Sequence, residues 1–534
     1  MIIINSSPKN ALKIFQPFLP IFIPIGPAIL VNELAAQGIT AHLLDQQVVK
    51  DVFSEVERLV RNLPKPWIFG FSVLTAAYRA AIETSMELKR RYPDSIILMG
   101  GIHPSAAPEE FLKYDHVDYV MRYESEYTLK EFYECAKAGG DPTSIPNLAW
   151  RGPDGAVVQS PRDTRRVDIN ALQPFPYHLF DRRHYDHGFV LSSRGCPYDC
   201  IFCSNRVTTG KKYRYNPTAT VLAELEKLRD EGEKFLIFLD DNLLVSKKRI
   251  YELLDGIRER GLDKDMTFSF QARGDNVDYQ LLKDMYDHGF TSVFFGLETA
   301  SEEVMKTVKK GETVEQCLNA VRMAKDIGYH VSATFIFALP GETHQDRMDA
   351  IRLAKELKLD MVRFNNATPY PGTELFQIAK EQGRLHVQGL YDNFVSVGSF
   401  IENPFDKIPF SYVPPQATER EIRNDILFAY FSHYWDWSEM KSALFGEDQG
   451  VGWFDMGDGL WGMIKKIPAL IFLFSMVGVK FLGMFWDVAW GRHTKIKPRE
   501  LMDVLIGRFR RRSLENSART LHLPDELRTR RRLD

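Results

Sequence analysis

Short apolar runs alternating with amphipathic stretches are what most restrict the fold. Over residues 1–140, MIIINSS, TAHLLD (40–45), WIFGFSVL (67–74), SIILMGG (95–101) and VDYVMR (117–122) read as strands. Between them, GPAILVNELAAQG (26–38), 52–62, 78–91 and the stretch from Pro104 to Tyr114 carry apolar residues at helical spacing. Runs of this kind suit parallel strands buried on both faces, each returned by a helix, with ligands received at the carboxyl ends. The rhythm breaks over 141–188. There IPNLAWRGPDGAVVQ (145–159) reads as a hairpin turning at Pro153-Asp154-Gly155, and the stretch is expected to be a connector. It resumes over 189–375 with strand candidates 189–193, 235–240, 267–272, 291–297, 332–338 and 361–367. Six β/α units make a partial or complete barrel, whose active site would lie at the strands' carboxyl ends.

The 534 residues leave room for two to four domains. A net charge of −3 gives no global attraction to nucleic acid, and no such partner is expected. Five cysteines, three of them within eight residues, are not a disulfide framework and suit a reducing, cytoplasmic setting. MIIINSSPKNALKIF lacks the charged, apolar and cleavage regions of a signal peptide and reads as a strand.

Residues 401–534 are expected to be mostly helical, with an apolar segment at 459–490. A basic tail follows, including Arg508, Arg510, Arg511 and Arg512; residues 491–534 hold 13 Lys/Arg against 6 Asp/Glu, a net of +7. The uncharged core from Ile467 to Val479 has 13 residues, where a membrane span needs about 20. Three readings stay open. The segment is an interfacial helix giving peripheral contact with the inner face of a membrane, a buried helix pair closing the barrel, or the lining of an access route for a large apolar substrate. The expected division is 1–140 first sheet, 141–188 connector, 189–400 barrel and 401–534 helical region.

The motif Ser193-Arg194-Gly195-Cys196-Pro197-Tyr198-Asp199-Cys200-Ile201-Phe202-Cys203 spaces its thiols as CxxxCxxC. Three thiolates on a short loop can hold three irons of a [4Fe-4S] cubane, leaving the fourth iron open to an exogenous ligand. The competing reading is zinc, with His184 or His187 completing a Cys₃His set. No second CxxC pair accompanies the motif.

On these residues the chain resembles the radical SAM superfamily, in which CxxxCxxC follows the first strand of a partial (β/α)₆ barrel. The resemblance implies that Cys196, Cys200 and Cys203 hold the cluster. S-adenosylmethionine (SAM) would chelate the open iron and be cleaved to a 5′-deoxyadenosyl radical. Phe202 would lie near adenine. FLIFLDDN (235–242) is similar to the strand-two motif that holds the SAM amino group, with Asp240 and Asp241 as matches and Asp241 favoured. FQAR (270–273) offers Gln271 and Arg273 to SAM, GLET (296–299) puts Glu298 near the ribose, and Pro340 of FALPGET (337–343) would support adenine. Without the resemblance, paired acids after a strand are often helix caps and Pro-Gly is often only a turn.

The first domain resembles the Rossmann-like, cobalamin-binding domain fused to many such enzymes. Ser72-Val73-Leu74 matches its SxL, Gly100-Gly101 its GG, and Gly101-Ile102-His103-Pro104 is typical of the fused group. Small residues there would let the nucleotide tail pass near the backbone. The cobalt-ligating DxHxxG signature is absent, and residues 8–25 contain no histidine. His103 is a candidate that either ligates cobalt or lines the loop.

The resemblance thus implies an α/β enzyme using a [4Fe-4S] cluster, SAM and cobalamin, served by a reductant such as flavodoxin or ferredoxin. The expected reaction is methylation of an unactivated carbon of a small, lipid-like or natural-product-like substrate. Non-methylating oxidoreductase, cyclase or lipid- or tetrapyrrole-modifying chemistry is the alternative. A non-catalytic cobalamin sensor would have no need of the open-iron motif.

Overall fold

The structure is a computed structural model. It describes residues 1–7, 21–398, 402–435 and 459–506, with side chains of the last segment described from Lys465. The arginines expected at 508–512 lie outside these residues.

Two parallel sheets form the molecule. The first contains β1 (Ile2–Asn5), β2 (His42–Asp45), β3 (Ile68–Ser72), β4 (Ile96–Gly100), β5 (Tyr119–Met121), β6 (Leu148–Arg151) and β7 (Val157–Gln159), in the order β2-β1-β3-β4-β5-β6-β7. The five strands expected from apolar runs are all present, and β1 to β5 pair in parallel. Ile4, Phe69, Ile97, Met99 and Val120 are fully buried between covering helices, as parallel strands require. Helix Tyr78–Arg91 falls where helical spacing places it. The helix expected from Pro104 to Tyr114 is instead two short ones, Ile102–Ala106 and Pro108–Leu112, because Pro108 opens the second.

The hairpin at 145–159 does more than connect. β6 pairs antiparallel with β5, and β7 with β6, so it extends the first sheet at its edge.

The second sheet orders β15 (Met361–Asn366), β14 (His330–Phe337), β13 (Phe290–Glu298), β12 (Thr267–Ala272), β11 (Phe235–Phe238) and β8 (Phe189–Val190), all parallel. It is a partial (β/α)₆ barrel. A short ribbon of β9 (Ser193–Arg194) and β10 (Arg214–Tyr215) flanks it. Period-two alternation sorts the faces: on β12, Phe268 and Phe270 pack under the helices with Phe290, while Gln271 is exposed on the opposite face.

Helix Glu419–Tyr434 closes the β15 edge. The backbone N–H groups of Val362 and Phe364 donate to the hydroxyls of Tyr434 and Tyr430 at 3.0 and 3.1 Å. Phenols thus satisfy edge donors that would otherwise invite another strand. The same helix is pinned by Arg347, fully buried, which donates to Asp425 at 2.7 Å and Glu421 at 3.3 Å. A long helix, Gly459–Ala489, lies against it.

Candidate functional site at the strand ends

The cluster loop leaves the ribbon at Gly195, whose φ is +88° and where a Cβ would strike the Lys212 carbonyl. Only glycine fits there without strain. The loop is pinned by backbone bonds from Ile201 N–H to Val308 O at 3.1 Å and from Leu375 N–H to Ile201 O at 2.9 Å. Cys196, Cys200 and Cys203 are partly buried, and burial pushes all three thiols above the ordinary range. Opposing this, the Tyr198 N–H donates to Cys196 and those of Asn205 and Arg206 to Cys203, while Lys310 and Arg273 act on Cys200.

These donors fit a cubane. Among the described residues, the one group of His, Cys, Asp or Glu ligand atoms lying within 4.8 Å of one another is His344, Glu421 and Asp425, so the three thiols are not gathered for a single ion. A tetrahedral zinc site requires that gathering, whereas thiolates on three different irons do not. The charged groups acting most on the thiols are Asp241, Arg273, Lys310 and Glu298. At the His344 group, Arg347 already holds both carboxylates, supplying the positive charge an ion would bring.

The two candidate aspartates separate by burial. Asp240 is fully buried and accepts from the Ser192 N–H and hydroxyl at 3.2 and 2.8 Å and from the Ser193 hydroxyl. It is committed to holding the strand that leads into the loop. Asp241 accepts from Asn205 Nδ2 at 2.6 Å and from the Gly195 N–H, and its charge reaches Cys196 and Cys203. It therefore stands beside the cluster loop, where a ligand's ammonium group could meet it. Phe202 is partly buried against the core. Pro340 is buried in a turn that Glu342 closes by accepting from the Ala338 N–H at 2.5 Å.

Glu298 ends β13 with φ +59° and is almost fully buried. Its Oε1 accepts from Lys310 Nζ at 2.7 Å, while Oε2 has no hydrogen-bond partner among the described residues. Such an orphaned acceptor at a strand's carboxyl end suits a ligand hydroxyl. Lys310 also donates to Gly296 O at 2.8 Å and lies 3.4 Å from Glu312. Burial works against its charge, but Glu298 and Glu312 outweigh it and hold the ammonium above its ordinary pKa. Arg273 pairs with Asp275 at 2.9 Å and lies 3.5 Å from the centre of the Tyr198 ring. Lys310 and Glu312 escape sequence reasoning because Lys-Lys-Gly-Glu reads as a solvated turn.

At the first sheet, Ser72 and Gly100 are register partners at the ends of β3 and β4, and Leu74 is 52% exposed beyond them. Ser6, buried at the end of β1, has a hydroxyl with no partner among the described residues. Small residues, an open apolar side chain and a spare hydroxyl suit a nucleotide tail. Gly101 has φ +102°, and a Cβ would lie 2.8 Å from Val73 N. Its glycine is required by the approach of two backbones. Gly101→Val is therefore expected to displace the loop and cut cobalamin binding about tenfold or more while leaving iron content unchanged; equilibrium titration with hydroxocobalamin, beside an iron assay, checks this.

His103 sits in an aromatic pocket, and neither ring nitrogen has a hydrogen-bond partner among the described residues. It is fully buried among Tyr78, Phe111 and Tyr391, with ring centroids 4.7–5.1 Å apart. Burial lowers its pKa to about 3, so the ring is neutral.

The two sheets meet at the site. Helix Ile102–Ala106, after β4, packs against helix Asn205–Thr208, which follows the cluster loop. A Cβ at Gly372, in the turn after β15, would lie 2.8 Å from Ala106 Cβ and 2.9 Å from Val207. Arg194 donates to Glu124 at 3.1 Å and to Glu126 at 2.5 Å, and Arg214 to Glu124 at 2.8 Å.

Family comparison agrees with this geometry. The Radical SAM superfamily model matches residues 190–354, and the B12 binding domain model matches residues 15–133. The chain belongs to the radical SAM family that carries a cobalamin-binding domain. It is an enzyme of that kind, with a [4Fe-4S] cluster, SAM and cobalamin as cofactors, and the family draws on a reductant and acts on small molecules. An uncharacterized methyltransferase of Pyrococcus horikoshii is 30% identical over 363 residues, spanning 67% of this chain and 78% of that protein. The anaerobic magnesium-protoporphyrin IX monomethyl ester cyclase of Cereibacter sphaeroides is 26% identical over 490 residues, 89% of this chain and 75% of the cyclase. Two solved structures share the fold. They are the radical SAM methyltransferase TsrM of Kitasatospora setae (TM-score 0.58, 20% identity, 71% of this chain and 74% of TsrM) and the cobalamin-dependent enzyme OxsB (TM-score 0.62, 16% identity, 81% of this chain and 66% of OxsB).

Proposed function

We propose that this enzyme transfers a methyl group to an unactivated carbon of an apolar or natural-product-like substrate. The observation that carries the reading is the packing of helix Ile102–Ala106, at the end of β4, directly on the helix that follows the cluster loop. It sets the cobalamin-binding strand ends and the SAM-binding strand ends against one another, which suits a substrate held between them. Methyltransferases among the relatives favour the same reaction.

When bound, the cofactors supply a transferable methyl group and a carbon-centred radical. The chain's own residues bind and orient. Cys196, Cys200 and Cys203 would hold the cluster and leave one iron open. Asp241 would accept from the SAM ammonium, Glu298 Oε2 from a ribose hydroxyl, and Gln271 would project into the uncovered face of the barrel. Ser72, Gly100 and Leu74 would border cobalamin. Lys310 and Arg273 oppose the accumulation of negative charge at Cys200. Flavodoxin or ferredoxin would serve as reductant in a cytoplasmic setting.

A non-methylating cyclase or oxidoreductase is the second reading, favoured by the longer match to the cyclase. Anaerobic reconstitution followed by mass spectrometry of SAM products separates the two. With an accepted substrate, 5′-deoxyadenosine together with S-adenosylhomocysteine is expected. 5′-Deoxyadenosine with a converted but unmethylated substrate would replace methyl transfer by the second reading.

A further inference from the structure

Helix Gly459–Ala489 has two unlike faces. One is docked: Leu473, Lys480, Met484, Asp487 and Val488 are buried, and Phe481 and Phe485 pack edge-to-face with Phe431, centroids 5.3 and 5.0 Å away. Asp487 accepts from Arg420 at 2.7 and 2.9 Å and from Asn424 at 3.0 Å. The other face carries Ile471, Val479, Leu482 and Trp486, spaced to share one side of the helix and exposed by 62, 38, 67 and 61%, with Trp490, 62% exposed, just past its end. Only 17% of the helix's most apolar window is buried, so it is not a core helix. Length and composition would allow a membrane span, but the docked face holds the Arg420–Asp487 pair against the helix that closes the barrel edge. Spanning would tear that pair apart and carry a carboxylate into lipid.

We propose that this helix lies in the plane of a membrane, with its Ile471–Trp490 face in the headgroup boundary of an anionic lipid surface. Charge complementarity selects this occupant. Lys465 is exposed at one end, and the chain beyond Trp490 carries a net +7. Trp486 and Trp490 suit the interface, where an apolar ring body and a polar N–H are both satisfied. The enzyme would thereby hold its barrel at a fixed distance from lipid while remaining extractable.

The test uses the full-length, cofactor-loaded chain, sedimented anaerobically with vesicles of phosphatidylcholine alone or mixed equally with phosphatidylglycerol. Binding is expected to be about tenfold or more tighter to the mixed vesicles and to weaken with salt. Brominated lipid should quench tryptophan emission, a readout that needs no variant. The double variant Leu482→Ser/Trp486→Ser should lose about tenfold or more of the partitioning, with iron content and 5′-deoxyadenosine yield unchanged. Absence of binding to either vesicle would overturn the proposal, since the face would then be covered by other parts of the chain. So would association that survives high salt and alkaline carbonate and yields only to detergent, because the helix would then span. A dimer in sedimentation velocity that Leu482→Ser dissociates would assign the face to a second copy and equally overturn it.

Discussion

Cys200→Ala is expected to reduce iron from about four per chain to near zero after anaerobic reconstitution and to abolish SAM cleavage. Cys196→Ala and Cys203→Ala should do the same. A cubane bound through three thiolates has no spare protein ligand, so the loss of any one leaves an iron without its anchor. Cys135→Ala, on the first domain, serves as the control and should keep full iron and activity. Iron assay, the visible absorption of the cluster and quantitation of 5′-deoxyadenosine provide the readout. Retained cleavage in any of the three variants would break the assignment of the cluster loop.

Lys310→Met is the second large effect. Lys310 is 5% exposed and stands between Glu298 and Glu312. Removing one member of a buried ionic group leaves the others uncompensated, which costs about 3–5 kcal/mol. For a barrel-sized unit that is a fall in Tm of about 10 °C. The double variant Lys310→Met/Glu298→Gln should recover part of the loss, because one of the stranded charges goes with the lysine. Differential scanning calorimetry of the anaerobic protein measures both. A fall under about 1 kcal/mol would mean that solvent reaches the group and compensates it.

Much of the fold was readable because parallel strands covered on both faces need continuous apolar runs. WIFGFSVL and SIILMGG are unmistakable for that reason, and β3 and β4 appear where they stand. The hairpin was found but not its role. Pairing of Leu148–Arg151 with Tyr119–Met121 is a long-range choice of edge, and a local turn signal cannot state which strand it will meet. At the site, spacing marked the cysteines and the pair Asp240-Asp241. The resemblance favours Asp241, and burial gives the physical ground: Asp240 turns inward to serine hydroxyls and its neighbour toward the cluster loop. For His103 the sequence leaves cobalt ligation and loop lining both open, and the aromatic box around its ring is visible only in the fold. Lys310, Glu312 and the bonds from Arg194 to Glu124 and Glu126 carry no motif. They are polar residues, some adjacent and some about 70 positions apart, whose partners are set only by the fold.

The Arg194 contacts bear on how the protein matures. As the chain is synthesised, the first sheet emerges ahead of the barrel and presents Glu124 and Glu126, about 70 residues before their partner exists. Arg194 stands two positions ahead of Cys196, so the ribbon that launches the cysteine loop is held against the first domain by these bonds. A barrel expressed from residue 189 onward would carry Arg194 and Arg214 without their carboxylates beside the loop that must receive the metal. The two halves look modular in sequence, but the bonds from Arg194 and Arg214 to Glu124 and Glu126 make the seat of the cysteine loop a joint property of both.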